Sequence, residues 1–131
     1  VIDIEARVLA DIARNHIIPA ALNYQNRLIE NVKGLKEIFG DKEFKTLAKE
    51  QLELISDISG NVSQIKVGVD ELLAAKEKAK NTSGSQKQAE EYCNKVIPLF
   101  ENIREASDAL EMMVDDELWP MTKYRESLFT R

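Results

Sequence analysis

The sequence predicts an all-α fold, an antiparallel up-down-up bundle of three long kinked helices followed by a short C-terminal helix. Three observations predict it. Apolar residues recur at spacings of three and four, the period of one helix face. Glycine is scarce, with 5 in 131 residues, and β-branched residues never form an alternating run. Turn signals at Gly40-Asp41 and Asn81-Thr82-Ser83-Gly84-Ser85 divide the periodic sequence into three stretches.

In the first stretch Ile4, Val8 and Ile12 already show helical spacing, and Ile17, Ala21, Tyr24, Leu28, Val32, Leu35 and Phe39 continue it. Gly40 suits the left-handed residue that ends many helices, and Asp41 is placed to cap the next one. So short a connection returns the second helix antiparallel to the first.

The second stripe is longer: Phe44, Leu47, Gln51, Leu54, Ile58, Val62, Ile65, Val69, Leu72 and Ala79. A helix from Lys42 to Lys80 would span roughly 58 Å at 1.5 Å per residue. Gly60 and Gly68 interrupt it at about 1 kcal/mol each relative to alanine. Because the stripe keeps its phase across both, one helix that bends near Gly60 is expected. A break there, giving four helices, is the alternative.

After the Asn81–Ser85 loop, Ser85 and Gln88 have the form of a capping box. The third stripe runs Ala89, Tyr92, Val96, Leu99, Ile103, Ala106, Leu110 and Met113, and a second row of Cys93, Ile97 and Phe100 widens it. Glu91 and Lys95 have the order and spacing of a surface ion pair. Pro19 and Pro98 fall inside helices, where each lacks an N–H and crowds the carbonyl four residues back, so both stretches should kink. The amides of Asn15 and Asn94 stand ready to solvate the freed groups. Pro120 disfavours helix at Trp119 and should stop the third helix, with a short helix from Thr122 to Phe129 beyond it.

Composition narrows function by exclusion. A chain of this length makes one domain, 1–131, that removes about two-thirds of its unfolded surface from water. With 44% hydrophobic and 31% charged residues it is a folded soluble protein rather than a disordered one. A formal charge of -5 argues against nucleic acid, since the lysines at 76, 78 and 80 alternate with other residues and lie among glutamates. The single cysteine, Cys93, precludes an intrachain disulfide and suits a reducing compartment. With no basic neighbour to stabilise a thiolate, it reads as a buried small hydrophobe. No apolar run reaches the ~20 residues of a membrane span, and no secretory signal is present, so a cytoplasmic protein is expected. A start at Val1 with helical spacing already under way predicts a piece of a longer chain.

The search for chemistry yields no catalytic, cofactor-binding or metal-binding residue. One histidine, His16, cannot build a triad or a multi-histidine metal site, and it reads as structural or solvated. Asp115-Asp116-Glu117 reads as a solvated acidic turn, because consecutive helical residues point apart while hard cations need converging oxygens. Met112 and Met113 read as core packing. What remains is an aromatic and basic tail in which Trp119, Tyr124, Arg125 and Phe129 are docking candidates, residue types that favour interface hot spots. The tail has two readings, capping its own bundle or anchoring another surface.

The two ends carry a resemblance. At the start it rests on Ile4 to Leu9, Ala13-Arg14-Asn15-His16-Ile17-Ile18-Pro19-Ala20-Ala21, Tyr24-Gln25 and Gly34-Leu35-Lys36. At the finish it rests on Asp115 to Pro120 and Lys123 to Arg125, with Phe129-Thr130-Arg131 closing the chain. Together these resemble the helical C-terminal domain of the type III glutamine synthetases. Between Phe44 and Lys87 only helical character and length agree. The resemblance implies a parent enzyme, cytoplasmic and homo-oligomeric, that joins ammonia to glutamate using ATP and Mg or Mn. It implies catalytic elements upstream, so that this fragment is non-catalytic and carries no cofactor of its own. Its expected role is scaffold and assembly, with the catalytic domain of the same chain and neighbouring subunits as partners. The alternative is a free-standing helical protein–protein interaction module. A bundle holding a metal or organic cofactor is disfavoured by the shortage of ligands.

Overall fold

The computed structural model describes residues 2–114, with side chains from Ile4 onward. All regular structure among them is helical: α1 (Ile2–Ile12), a π-helical segment (Ala13–Ile17), α2 (Ile18–Ile38), α3 (Asp41–Leu47), α4 (Lys49–Lys80), α5 (Ser85–Glu91), a second π-helical segment (Tyr92–Val96) and α6 (Ile97–Met113). These form three rods, α1 to α2, α3 to α4, and α5 to α6. The stop at Pro120 and the helix expected from Thr122 to Phe129 lie outside the described residues.

Side-chain pairings fix the directions of the rods. Arg14 meets Asp70, Gln25 meets Ser59 and Asn31 meets Gln51, so numbers rise along the first rod as they fall along α4. The same holds for α4 and the third rod, where Gln64 donates to the Asn102 carbonyl and Gln88 to that of Lys80. The order is up, down, up. Both outer rods pack on α4, which supplies the fully buried Ile58, Ile65, Val69 and Leu72. Val96, Ile103 and Leu110 face them from the third rod. Burying each such side chain stabilises the fold by about 1.5–3 kcal/mol.

The first rod meets this core through Ala6, Ala10, Ala13, Ile17 and Ala21. Ile4 and Val8, which carry the expected spacing, are instead 63% and 51% exposed. Two residues turn a helix by about 200°, so the alanine row and the Ile4–Val8 row occupy opposite sides. The alanines win the core side because small residues let the rod approach α4 closely.

Each helix-internal proline is preceded by a π-helical turn. The N–H of Ile18 bonds to the Ala13 carbonyl and that of Ile97 to the Tyr92 carbonyl, five residues back rather than four. Proline removes the next donor, and the wide turn absorbs the mismatch. It also lets successive spacings of four, Ala13–Ile17–Ala21 and Tyr92–Val96–Phe100, remain on one side. The Asn15 amide does not solvate the kink; it donates to Asp11 at 2.6 Å.

The structure corrects several local expectations. The second rod breaks at Ala48, not at Gly60, and α4 runs unbroken through both Gly60 and Gly68. Ala48 is fully buried, and α-type bonds from its N–H to Phe44 and from Leu52 to its carbonyl continue across the bend. Gly40 is extended (φ -69, ψ 161), preceding α3 rather than ending α2 in left-handed form. Gly84 alone among the described residues takes positive φ, and it precedes α5 without a capping box. Gln88 points across the turn instead, and its amide and the Thr82 hydroxyl satisfy the last carbonyls of α4, Lys80 and Lys78. Cys93 is exposed, as is Ile97, because the π-turn brings Val96 and Phe100 inward in their place. Ala89 is exposed too, since α5 buries no residue. The Glu91–Lys95 pair does not form. Glu91 Oε2 is buried without a hydrogen-bond partner, and the π-turn displaces Lys95 from helical register.

Candidate functional site

The docking candidates Trp119, Tyr124, Arg125 and Phe129 lie outside the described residues, as does the acidic run Asp115-Asp116-Glu117. His16 lies on the first π-turn, exposed to solvent. Among the described residues no three His, Cys, Asp or Glu side chains converge in a way that could hold a metal ion. No described helix is long and apolar enough to cross a membrane. Met113 packs partly against the core, whereas Met112 is exposed.

Among the described residues, the buried polar side chains are Gln25, Lys76 and Glu111. Gln25 uses its amide nitrogen twice, donating to the Ile55 carbonyl at 2.9 Å and to the Ser59 hydroxyl at 2.7 Å. It ties α2 to α4. The Lys76 ammonium lies 3.3 Å from the Glu77 carboxylate. Glu111 differs. It is 5% exposed, its Oε1 has no hydrogen-bond partner, and the Ser107 hydroxyl one turn earlier has none either.

These two groups belong to a row along α6, Phe100, Arg104, Ser107 and Glu111, whose spacing of four, three and four keeps them on one flank. Phe100 and Arg104 line a shallow groove against the first rod, with Ile4, Val8, Leu9 and Ile12 opposite. The flank is therefore apolar towards Phe100 and polar at Ser107 and Glu111. Arg104 is half exposed and reaches Glu101 at 3.5 Å. Helical periodicity does not mark Glu111, because it falls outside the three-four stripe and reads as surface. Its burial is a property of the folded bundle and not of its place relative to the stripe.

Comparison with known proteins adds the family. Residues 1–36 match the family described as glutamine synthetase C-terminal domain. Over 130 residues, 99% of this chain, the sequence is 46% identical to a glutamine synthetase of Bacteroides fragilis (strain YCH46). Over the same share it is 28% identical to a type-3 glutamine synthetase of Dictyostelium discoideum. In each case the chain spans 18% of the relative's length.

Proposed function

We propose, on the premise that this chain belongs to the glutamine synthetase C-terminal domain family, that it is the helical scaffold and assembly domain of a type III enzyme. The parent joins ammonia to glutamate at the expense of ATP, with Mg or Mn at active sites built elsewhere in the chain. It works in the cytoplasm as a homo-oligomer. The bundle's partners are the catalytic domain of its own chain and neighbouring subunits, and Trp119, Tyr124, Arg125 and Phe129 carry the docking.

The observation that carries this reading is 46% identity sustained over 130 residues, in a relative more than five times as long. Likeness of that extent covers the whole chain rather than a local motif. The groove beside the first rod and the buried polar flank of α6 give the described bundle features that a scaffold can use.

The test is made in the full-length protein. Trp119→Ala is expected to lower both the oligomer fraction and the rate of glutamine formation, by the ≥2 kcal/mol typical of an interface tryptophan, roughly thirtyfold in the association constant. Sedimentation velocity and a coupled assay for ADP release read the two quantities. Unchanged oligomer size and rate would remove the tail from this role. Coding sequence upstream of Val1 that lacked nucleotide and metal motifs would remove the enzyme itself.

A further inference from the structure

We propose that the Ser107–Glu111 flank of α6 is the receptor for the Arg125 guanidinium, contributed by the chain's own carboxy-terminal segment. A carboxylate that is 95% buried with an unpartnered oxygen is costly unless it meets a cation or a donor. Its position compounds the cost. Glu111 lies in the last turn of α6, which ends at Met113, and the negative end of the helix dipole disfavours an acid there. The Ser107 hydroxyl adds a second unpartnered polar atom to the same flank. Two such groups one turn apart present what a guanidinium binds: a charged acceptor and a neutral one within reach of a planar fork of donors. Arg104 does not fill this role, since its guanidinium turns to Glu101 on the exposed side.

The segment 115–131 has the matching chemistry. It follows Val114 directly and carries Lys123, Arg125 and Arg131 among Trp119, Tyr124 and Phe129. The relatives' alignments take in all but one residue of the chain, so the segment belongs to the homologous domain. Arg125 is eleven residues beyond Val114, a tether that extends up to about 36–40 Å. The receptor lies only ~5–10 Å back along α6. At millimolar effective concentration the tether favours the chain's own segment over a second copy. Arginine is preferred to Lys123 because its guanidinium is more weakly hydrated and pairs bidentately when buried. Beyond the receptor the flank becomes apolar at Phe100, Ile4 and Val8, a surface suited to the aromatic residues around Arg125. The contact is internal to the chain, so it withdraws Arg125 and the aromatic residues beside it from the docking proposed above, leaves that role to Trp119, and stands or falls separately from it.

A double-mutant cycle in the 131-residue chain tests it. Glu111→Gln and Arg125→Gln are each expected to lower the folding equilibrium constant in urea denaturation. Together they should show a coupling of about tenfold or more, while Lys123→Gln shows none with Glu111→Gln. The opposite pattern overturns the proposal: a stabilising Glu111→Gln with an inert Arg125→Gln and additive effects, as for a merely buried acid. Should a variant fail to fold, Glu111→Cys with Arg125→Cys in a Cys93→Ser chain gives a second measurement. Mild oxidation is expected to yield a monomeric disulfide. A bridge only between copies, or none, overturns it equally.

Discussion

Gly68 shows how much one atom decides at a helix crossing. A Cβ built on it would lie 2.9 Å from Ile103 Cγ1, in the seam between α4 and α6, whereas a Cβ on Gly60 would meet nothing within 4 Å. The two glycines look alike in the sequence and should respond oppositely. Gly68→Ala forces a branched, fully buried isoleucine to shift and is expected to cost about 1–3 kcal/mol. Gly60→Ala adds helix propensity at an open site and is expected to stabilise by ~0.5–1 kcal/mol. Urea denaturation of both variants decides, and equal signs would contradict the packing described. Gln25 makes the complementary point. Its buried amide has two acceptors on α4, and Gln25→Ala, which leaves Ser59 without that donor, should cost about 1–3 kcal/mol.

At the scale of elements, stability is unevenly distributed. α4 from Ile58 to Ala79 and α6 from Phe100 to Leu110 contain most of the fully buried side chains, while α3 and α5 bury none. Amide hydrogen exchange is therefore expected to be slowest in those segments of α4 and α6 and to approach local-opening rates in α3 and α5. Protection in α5 equal to that in α4 would mean that the turn at Gly84 holds more than its capping bonds. The π-turns belong to this scale as well. They were not legible in the sequence, although their cause was: Pro19 and Pro98 announce a disturbed turn without saying which geometry relieves it. Packing chose the wide turn, because it keeps Ile17 and Ala21, and Val96 and Phe100, on the core side.

For the whole molecule, α4 is the shared partner of both outer rods, so neither rod keeps its apolar face covered once α4 is lost. Unfolding of the described bundle is expected to be a single cooperative transition. Leu72→Ala, at a fully buried position in the C-terminal half of α4, should cost about 2–5 kcal/mol and move helix loss and tertiary unfolding together. Far-ultraviolet circular dichroism and tyrosine fluorescence provide the two probes. Separate midpoints would show that one outer rod survives without the other. The surface pair Arg14–Asp70, more than half exposed on both sides, contributes at most about 1 kcal/mol to this cooperativity.

By itself the sequence determined that this protein is all-α, that it has three rods with turns near Gly40 and Gly84, and that the faces from Ile58 to Ala79 and from Val96 to Leu110 are apolar. Helical period and turn chemistry are local properties, and a chain carries them before it folds. It also carried the likeness to glutamine synthetases, written at Ala13 to Ala21 and in the tail. Tertiary structure alone decided the rest: that Ala6, Ala10 and Ala13 rather than Ile4 and Val8 face α4, that Cys93 points out, that the second rod bends at Ala48, and that Glu111 is drawn out of water. Each of these depends on how closely two rods approach and at what phase, and that distance is set by side chains far apart in the chain.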